Sequence, residues 1–313
     1  MNKAILLTTG FLILFFQHYI QPISPQFQYF AFFTGIILLG VPHGAADLLV
    51  ATQNARIETK AFSKILFFTN YLLRLVLFGA ILYFFPLIGY LTFILFAAYH
   101  FGETDLNQFK TRSLVGKLFV VSYGLLILGV ILLNHFEEVK QIFTLFDPSG
   151  KYIYALNYIE TNKYIILLIL GLFFFTSTFF YFLINKLKQA HPEKFLVHFI
   201  LILFILFYLP MILGFTFYFV VWHSILSLKN IVNYLRKDGL FTVRIIAKQI
   251  TIYSVIALAG IVLLGVTRYM LGNINAMVSY VFIGLAVLTA PHMQIMHDMY
   301  INIRNYNKIL NRK

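Results

Sequence analysis

Long apolar runs alternate with short polar links from one end of the chain to the other. Runs of roughly 17–25 residues, enough to cross a bilayer as helix, fall at 4–20, 28–50, 64–85, 87–106, 117–134, 163–185, 249–267 and 277–299. Met1–Gln17 has the apolar character of a signal peptide. No small-residue cleavage site leads from it into a soluble domain, so it reads as a first span. The stretch 195–228 is too long for one ordinary crossing and is interrupted by Pro210 and Gly214. Proline removes a backbone donor and clashes with the preceding turn, so this stretch is either two short crossings or one interrupted, re-entrant one. The pattern predicts an all-α fold: a polytopic transmembrane helix bundle of about 8–10 spans with no soluble domain, residues 1–313 forming one integral-membrane unit.

Composition strengthens this picture. Of 313 residues, 60% are hydrophobic and 11% charged, less than half the roughly 25% charge that coats a soluble domain. The 36 Phe and 20 Tyr exclude a disordered chain. With no Cys, disulfides and thiolate metal sites are excluded, and any metal must sit on nitrogen or oxygen. A net charge of +13 would suggest nucleic acid in a soluble protein. Here the basic residues fall in links between spans, where they set topology and meet anionic lipid, so no nucleic-acid partner is expected.

The links at 51–64, 107–117, 186–194 and 229–248 and the tail are positive, whereas 21–27 and 86–90 carry no charge and 135–162 is net acidic. Positive links belong on the cytoplasmic side. Two crossings split near Pro210 give ten spans, a re-entrant hairpin gives eight, and both termini are expected in the cytoplasm of a cell with this chain in its inner membrane. In the acidic link, Ile142, Phe143, Leu145 and Phe146 are expected to rest at the membrane interface.

Ionisable side chains inside a bilayer cost roughly 2.5–3.5 kcal/mol each on the gentlest scale, and so mark function. Asp47, Glu103, Asp105 and Asp298 lie within or at the inner ends of apolar runs, each near a histidine. His43, His100, His223 and His292 fall in four spans of the same direction, about 5–7 residues from the inner end, or roughly 8–11 Å at 1.5 Å per residue. His297 lies closer to the cytoplasm. Imidazoles at one depth on parallel helices make a metal site, one suited to iron, zinc, copper or nickel. Each alone could instead only bridge helices. Asp47, at i+4 from His43, and Glu103, at i+3 from His100, could orient a ligand imidazole. A transporter or proton-coupled carrier also uses intramembrane His and Asp. It should string them across the membrane, and here the outer half is nearly bare.

Together, Pro42-His43-Gly44-Ala45-Ala46-Asp47, His100-Phe101-Gly102 with Asp105, Trp222-His223-Ser224 and Pro291-His292-Met293 resemble the Brp/Blh family of integral-membrane β-carotene dioxygenases. The resemblance covers residues about 40–300. It implies a non-haem Fe(II) centre on histidines and cleavage of the central double bond of β-carotene by O₂ to give retinal. It carries His43, His100 and His223 onto ligand positions. The family pattern has another His four residues after His223, where this chain has Ser227. His292, with His297 as the alternative, is then expected as fourth ligand. Asp47, Glu103 and Asp105 are expected to orient the ligands, and Tyr99 and Trp222 to wall the substrate pocket.

Overall fold

A computed structural model describes residues 3–144, 150–185, 192–237, 239, 241–265 and 274–310. Among them there is no strand, and eleven helices follow in order: α1 (Lys3–Ile20), α2 (Pro25–Ile57), α3 (Lys64–Phe84), α4 (Pro86–Asp105), α5 (Leu114–Asn134), α6 (Phe136–Thr144), α7 (Ile153–Asn185), α8 (Pro192–Tyr208), α9 (Met211–Arg236), α10 (Val243–Gly265) and α11 (Ile274–Leu310). Six of them (α1, α2, α3, α5, α7 and α9) are long and apolar enough to cross a membrane. The molecule is a multi-pass helical membrane protein.

Helix starts follow from local chemistry. Ser24, Ser63 and Ser113 cap α2, α3 and α5, each hydroxyl accepting from a backbone N–H three residues on, which satisfies one of the orphan donors of a first turn. Pro25 and Pro86 open their helices, where the missing N–H costs nothing. Two helices outrun the apolar pattern. α7 begins at Ile153 rather than near 163, and α11 runs to Leu310 rather than 299. In both, the polar extension is helix that hydropathy alone reads as link. Within the 135–162 link, α6 packs Phe143 on Tyr90, ring centroids 4.8 Å apart, while Leu145 and Phe146 lie outside the described residues.

The long stretch 195–228 divides at Pro210 into α8 and α9. Both lean on α1, where a Cβ on Gly10 would lie 2.6 Å from the Phe217 ring and 2.8 Å from Ile205. The carbonyls that Pro210 leaves without helical donors are met by other helices. Asn134 Nδ2 donates to Phe207 O at 2.7 Å, while a ring nitrogen of His18 lies 2.9 Å from Tyr208 O and one of His135 lies 2.9 Å from Leu209 O. His18 and His135 thus complete the corner.

At the opposite end the positive segments meet. Asn54 accepts from Tyr234 Oη and from Asn302 Nδ2, Arg304 Nη1 donates to Thr111, and Arg112 donates to Asn305. Links 51–64, 107–117 and 229–248 and the tail thus share one face, as their charge requires; Lys186, Lys188 and His191 lie outside the described residues.

α4 and α5 pack backbone to backbone. A Cβ on Gly124 would lie 1.9 Å from the Ala98 carbonyl oxygen, and one on Gly102 would lie 2.1 Å from that of Val120. Only residues without side chains allow this approach, which is the usual way helices associate in lipid. It holds His100, between Ala98 and Gly102, at a fixed height.

Candidate metal centre

Two of the helices that bring imidazoles inward are irregular at that point. α2 winds as π-helix over Ile36–Gly40, turns through Ala45 and Ala46, and resumes at Asp47. α9 winds as π-helix over Thr216–Ser224. Such surplus winding is uncommon and is concentrated at functional sites. The two π segments pack on each other, with a Cβ on Gly35 coming within 2.7 Å of Val220 and one on Gly40 within 3.4 Å of Phe219. The first segment delivers His43 and the second His223. Ser224 Oγ, at the end of the second segment, lies 3.4 Å from His43 Nδ1.

His43, His100 and His223 are all buried and offer ligand nitrogens that lie within 4.8 Å of one another. His100 Nε2 and His223 Nε2 face each other at 3.1 Å. His292 joins them from α11, its ring centroid 5.0 Å from that of His43 and 4.9 Å from that of His100. The four imidazoles that spacing puts at one depth do meet.

Asp47 Oδ1 accepts from His292 Nδ1 at 2.6 Å, and Tyr71 Oη donates to Asp47 Oδ2 at 3.1 Å. A carboxylate on Nδ1 leaves the lone pair of the ring on Nε2. That atom is buried and has no hydrogen-bond partner among the described residues; the same is true of Nδ1 of His100 and of His223. An orphaned nitrogen in a membrane interior is costly, and a cation bound at His292 Nε2 would remove that cost. Metal–nitrogen bonds of about 2.0–2.1 Å put neighbouring ligand nitrogens about 3 Å apart, the separation seen between His100 and His223. The donor set fits a first-row divalent cation.

The remaining candidates lie elsewhere. Glu103 points away from the four imidazoles, accepting from Arg304 Nη2 at 2.8 Å and lying 3.0 Å from His297 Nδ1. Tyr99 Oη lies 3.2 Å from the same nitrogen. His297 is thereby engaged in a second cluster and is not among the converging group. Asp105 is buried and its Oδ2 accepts from Trp222 Nε1, Tyr123 Oη and Tyr218 Oη at 3.0, 2.8 and 3.1 Å. Trp222 and Tyr99, expected as pocket walls, instead turn their polar tips to Asp105 and to His297 respectively and line no part of the cavity described next. The reason is that each carries a polar tip that must find a partner in an apolar interior. Asp298 accepts from Gln294 on its own helix. Ser227, one turn beyond His223, is fully buried and its hydroxyl has no hydrogen-bond partner among the described residues.

A cavity of about 420 Å³ opens onto His43, His100 and His292. Its walls are aliphatic and aromatic, among them Phe93, Ile94, Phe101, Leu128, Phe215 and Phe219. Gly44 lines it too, with nothing within 4 Å of where a Cβ would stand. Tyr71, which spacing did not single out, lies 24 residues from Asp47 on the next helix and also lines the cavity.

A comparison with curated proteins gave no match, and a comparison with solved structures gave none. A family model described as Beta-carotene 15,15'-dioxygenase matches residues 34–300. That range takes in all four converging histidines, Asp47 and the cavity, and the chain belongs to the beta-carotene 15,15'-dioxygenase family.

Proposed function

We propose that this protein is a membrane-embedded, Fe(II)-dependent dioxygenase that cleaves the central double bond of β-carotene, or a closely related carotenoid, with O₂ to give retinal. The observation that carries the reading is the convergence of buried imidazoles beside an apolar cavity, with His292 Nε2 left without a hydrogen-bond partner among the described residues. His43, His100, His223 and His292 hold the iron, with His292 taking the part that Ser227 cannot. Bound there, Fe(II) supplies the one-electron chemistry that lets O₂ react with a carbon–carbon double bond. Asp47 fixes the His292 tautomer and keeps its Nε2 lone pair turned inward, and Tyr71 holds Asp47 in turn. The aromatic walls exclude water and lay a rigid polyene so that one bond faces the imidazoles. The protein acts on substrate from the bilayer of the cell inner membrane, with both termini in the cytoplasm.

A secondary transporter is not favoured. Three buried imidazoles gather at one point, and family membership points to oxidative chemistry.

The test is expression in cells that make β-carotene. Loss of orange colour with accumulation of retinal is the expected result. Persistent pigment alongside folded, iron-loaded protein would overturn the assignment.

A further inference from the structure

The cavity has two unlike ends. Toward α4, α5 and α9 it is closed by buried side chains such as Ala97, Leu128 and Phe215. On the other side its lining includes Phe68 and Leu72 of α3, Ile256 and Ala257 of α10 and Leu288 of α11. These are exposed on the outer face of the bundle, Leu72 at 57% and Ile256 at 59%. Side chains that are both lipid-facing and cavity-lining mark a continuous path, and no charged group lies among them.

We propose that the gap bounded by α3, α10 and α11 is a lateral portal through which a long apolar molecule dissolved in the membrane reaches the imidazoles, one end seated against the closed wall and the other still among lipid tails. The occupant follows from the lining. Water gains nothing along a path of Leu, Ile, Phe and Ala side chains, whereas a hydrocarbon moving from lipid to such walls crosses no polar layer. A seat closed at one end also gives a linear substrate a stop against which its position is measured. The proposal deepens the carotenoid-cleavage reading and rests on it for the identity of the substrate.

Because the chain has no Cys, Thr289→Cys would place a unique thiol in the cavity lining. Full-length protein in liposomes should react with a long-chain alkyl maleimide added to the bilayer and resist a charged, membrane-impermeant thiol reagent. Adding Ala257→Trp or Leu72→Trp should slow the maleimide reaction at least tenfold. Val255→Trp, on α10 and equally exposed but outside the cavity lining, should change it less than twofold. Labelling by the charged reagent, no labelling by the lipophilic one, or equal rates in the Ala257, Leu72 and Val255 variants would each overturn the portal. None of these readouts needs turnover. Gated labelling in a protein that leaves β-carotene intact would therefore keep the portal and remove the substrate.

Discussion

Asp47 and His292 are 245 residues apart in the chain and 2.6 Å apart in the fold. The bond joins the resumed part of α2 to α11 immediately beside the other three imidazoles, and it decides which nitrogen of His292 faces them. Asp47→Asn keeps the size and removes the charge, so it should lower iron affinity by about 10–100-fold, the usual cost of losing a partner behind a ligand histidine. Titration of metal-stripped protein with Fe(II) measures this, and an unchanged affinity would detach Asp47 from the metal centre.

His43→Ala, His100→Ala and His223→Ala should each leave less than about a tenth of the wild-type iron, because removing one of so few imidazoles takes away both a bond and the preorganised shape. Elemental analysis of purified protein gives the ratio. Full iron in any of the three would exclude that residue from the ligand set.

Removal and replacement of the metal separates iron chemistry from simple structural support. Chelation should abolish retinal formation, Fe(II) under reducing conditions should restore it, and Zn(II) should bind without restoring it, since zinc has no redox chemistry. Recovery with zinc would argue for a different reaction.

The pair Glu103–Arg304 ties α4 to α11 below the imidazoles, with the carboxylate only 1% exposed. Arg304→Met would leave that charge with His297 alone and should destabilise the fold by up to about 3 kcal/mol, less than for a charge left with no partner. Changing Glu103 to Gln in the same chain should recover most of the loss. Thermal unfolding in detergent of the two single variants and the double variant closes the cycle, and strict additivity would mean that the ion pair contributes no coupling.

Gly124→Ala places a methyl where the Ala98 carbonyl oxygen now sits 1.9 Å away. The forced separation of α4 and α5 should cost about 1–3 kcal/mol or more and reduce iron occupancy through displacement of His100. Gly171, with nothing within 4 Å of its notional Cβ, should accept Ala with a change of about 1 kcal/mol or less.

The helical architecture was legible because hydropathy reports burial in lipid one residue at a time. The common depth of His43, His100, His223 and His292 was legible for the same reason: distance along a helix converts directly to height. Rotation about the helix axis was not. Glu103 is one turn from His100 and yet turns to Arg304 and His297, and Trp222 adjoins His223 and yet turns to Asp105. Azimuth depends on which helices are neighbours, and on π winding that breaks the regular 3.6-residue count. No local pattern announces that His18, Asn134 and His135 gather at the Pro210 corner, since the signal lies in three segments that meet only in space.

A segment of π-helix is held open by residues in excess of what regular winding needs. Deleting one residue within Thr216–Trp222 would let α9 relax toward regular winding, which resets the angular spacing inside the segment to roughly 100° per residue and changes which side chains it turns inward. His223 would then swing out of reach of its partners while every imidazole in the chain remained intact. The count of residues between two points is thus as strict a requirement of this protein as their identity, and a one-codon loss there is a silent way to disarm it.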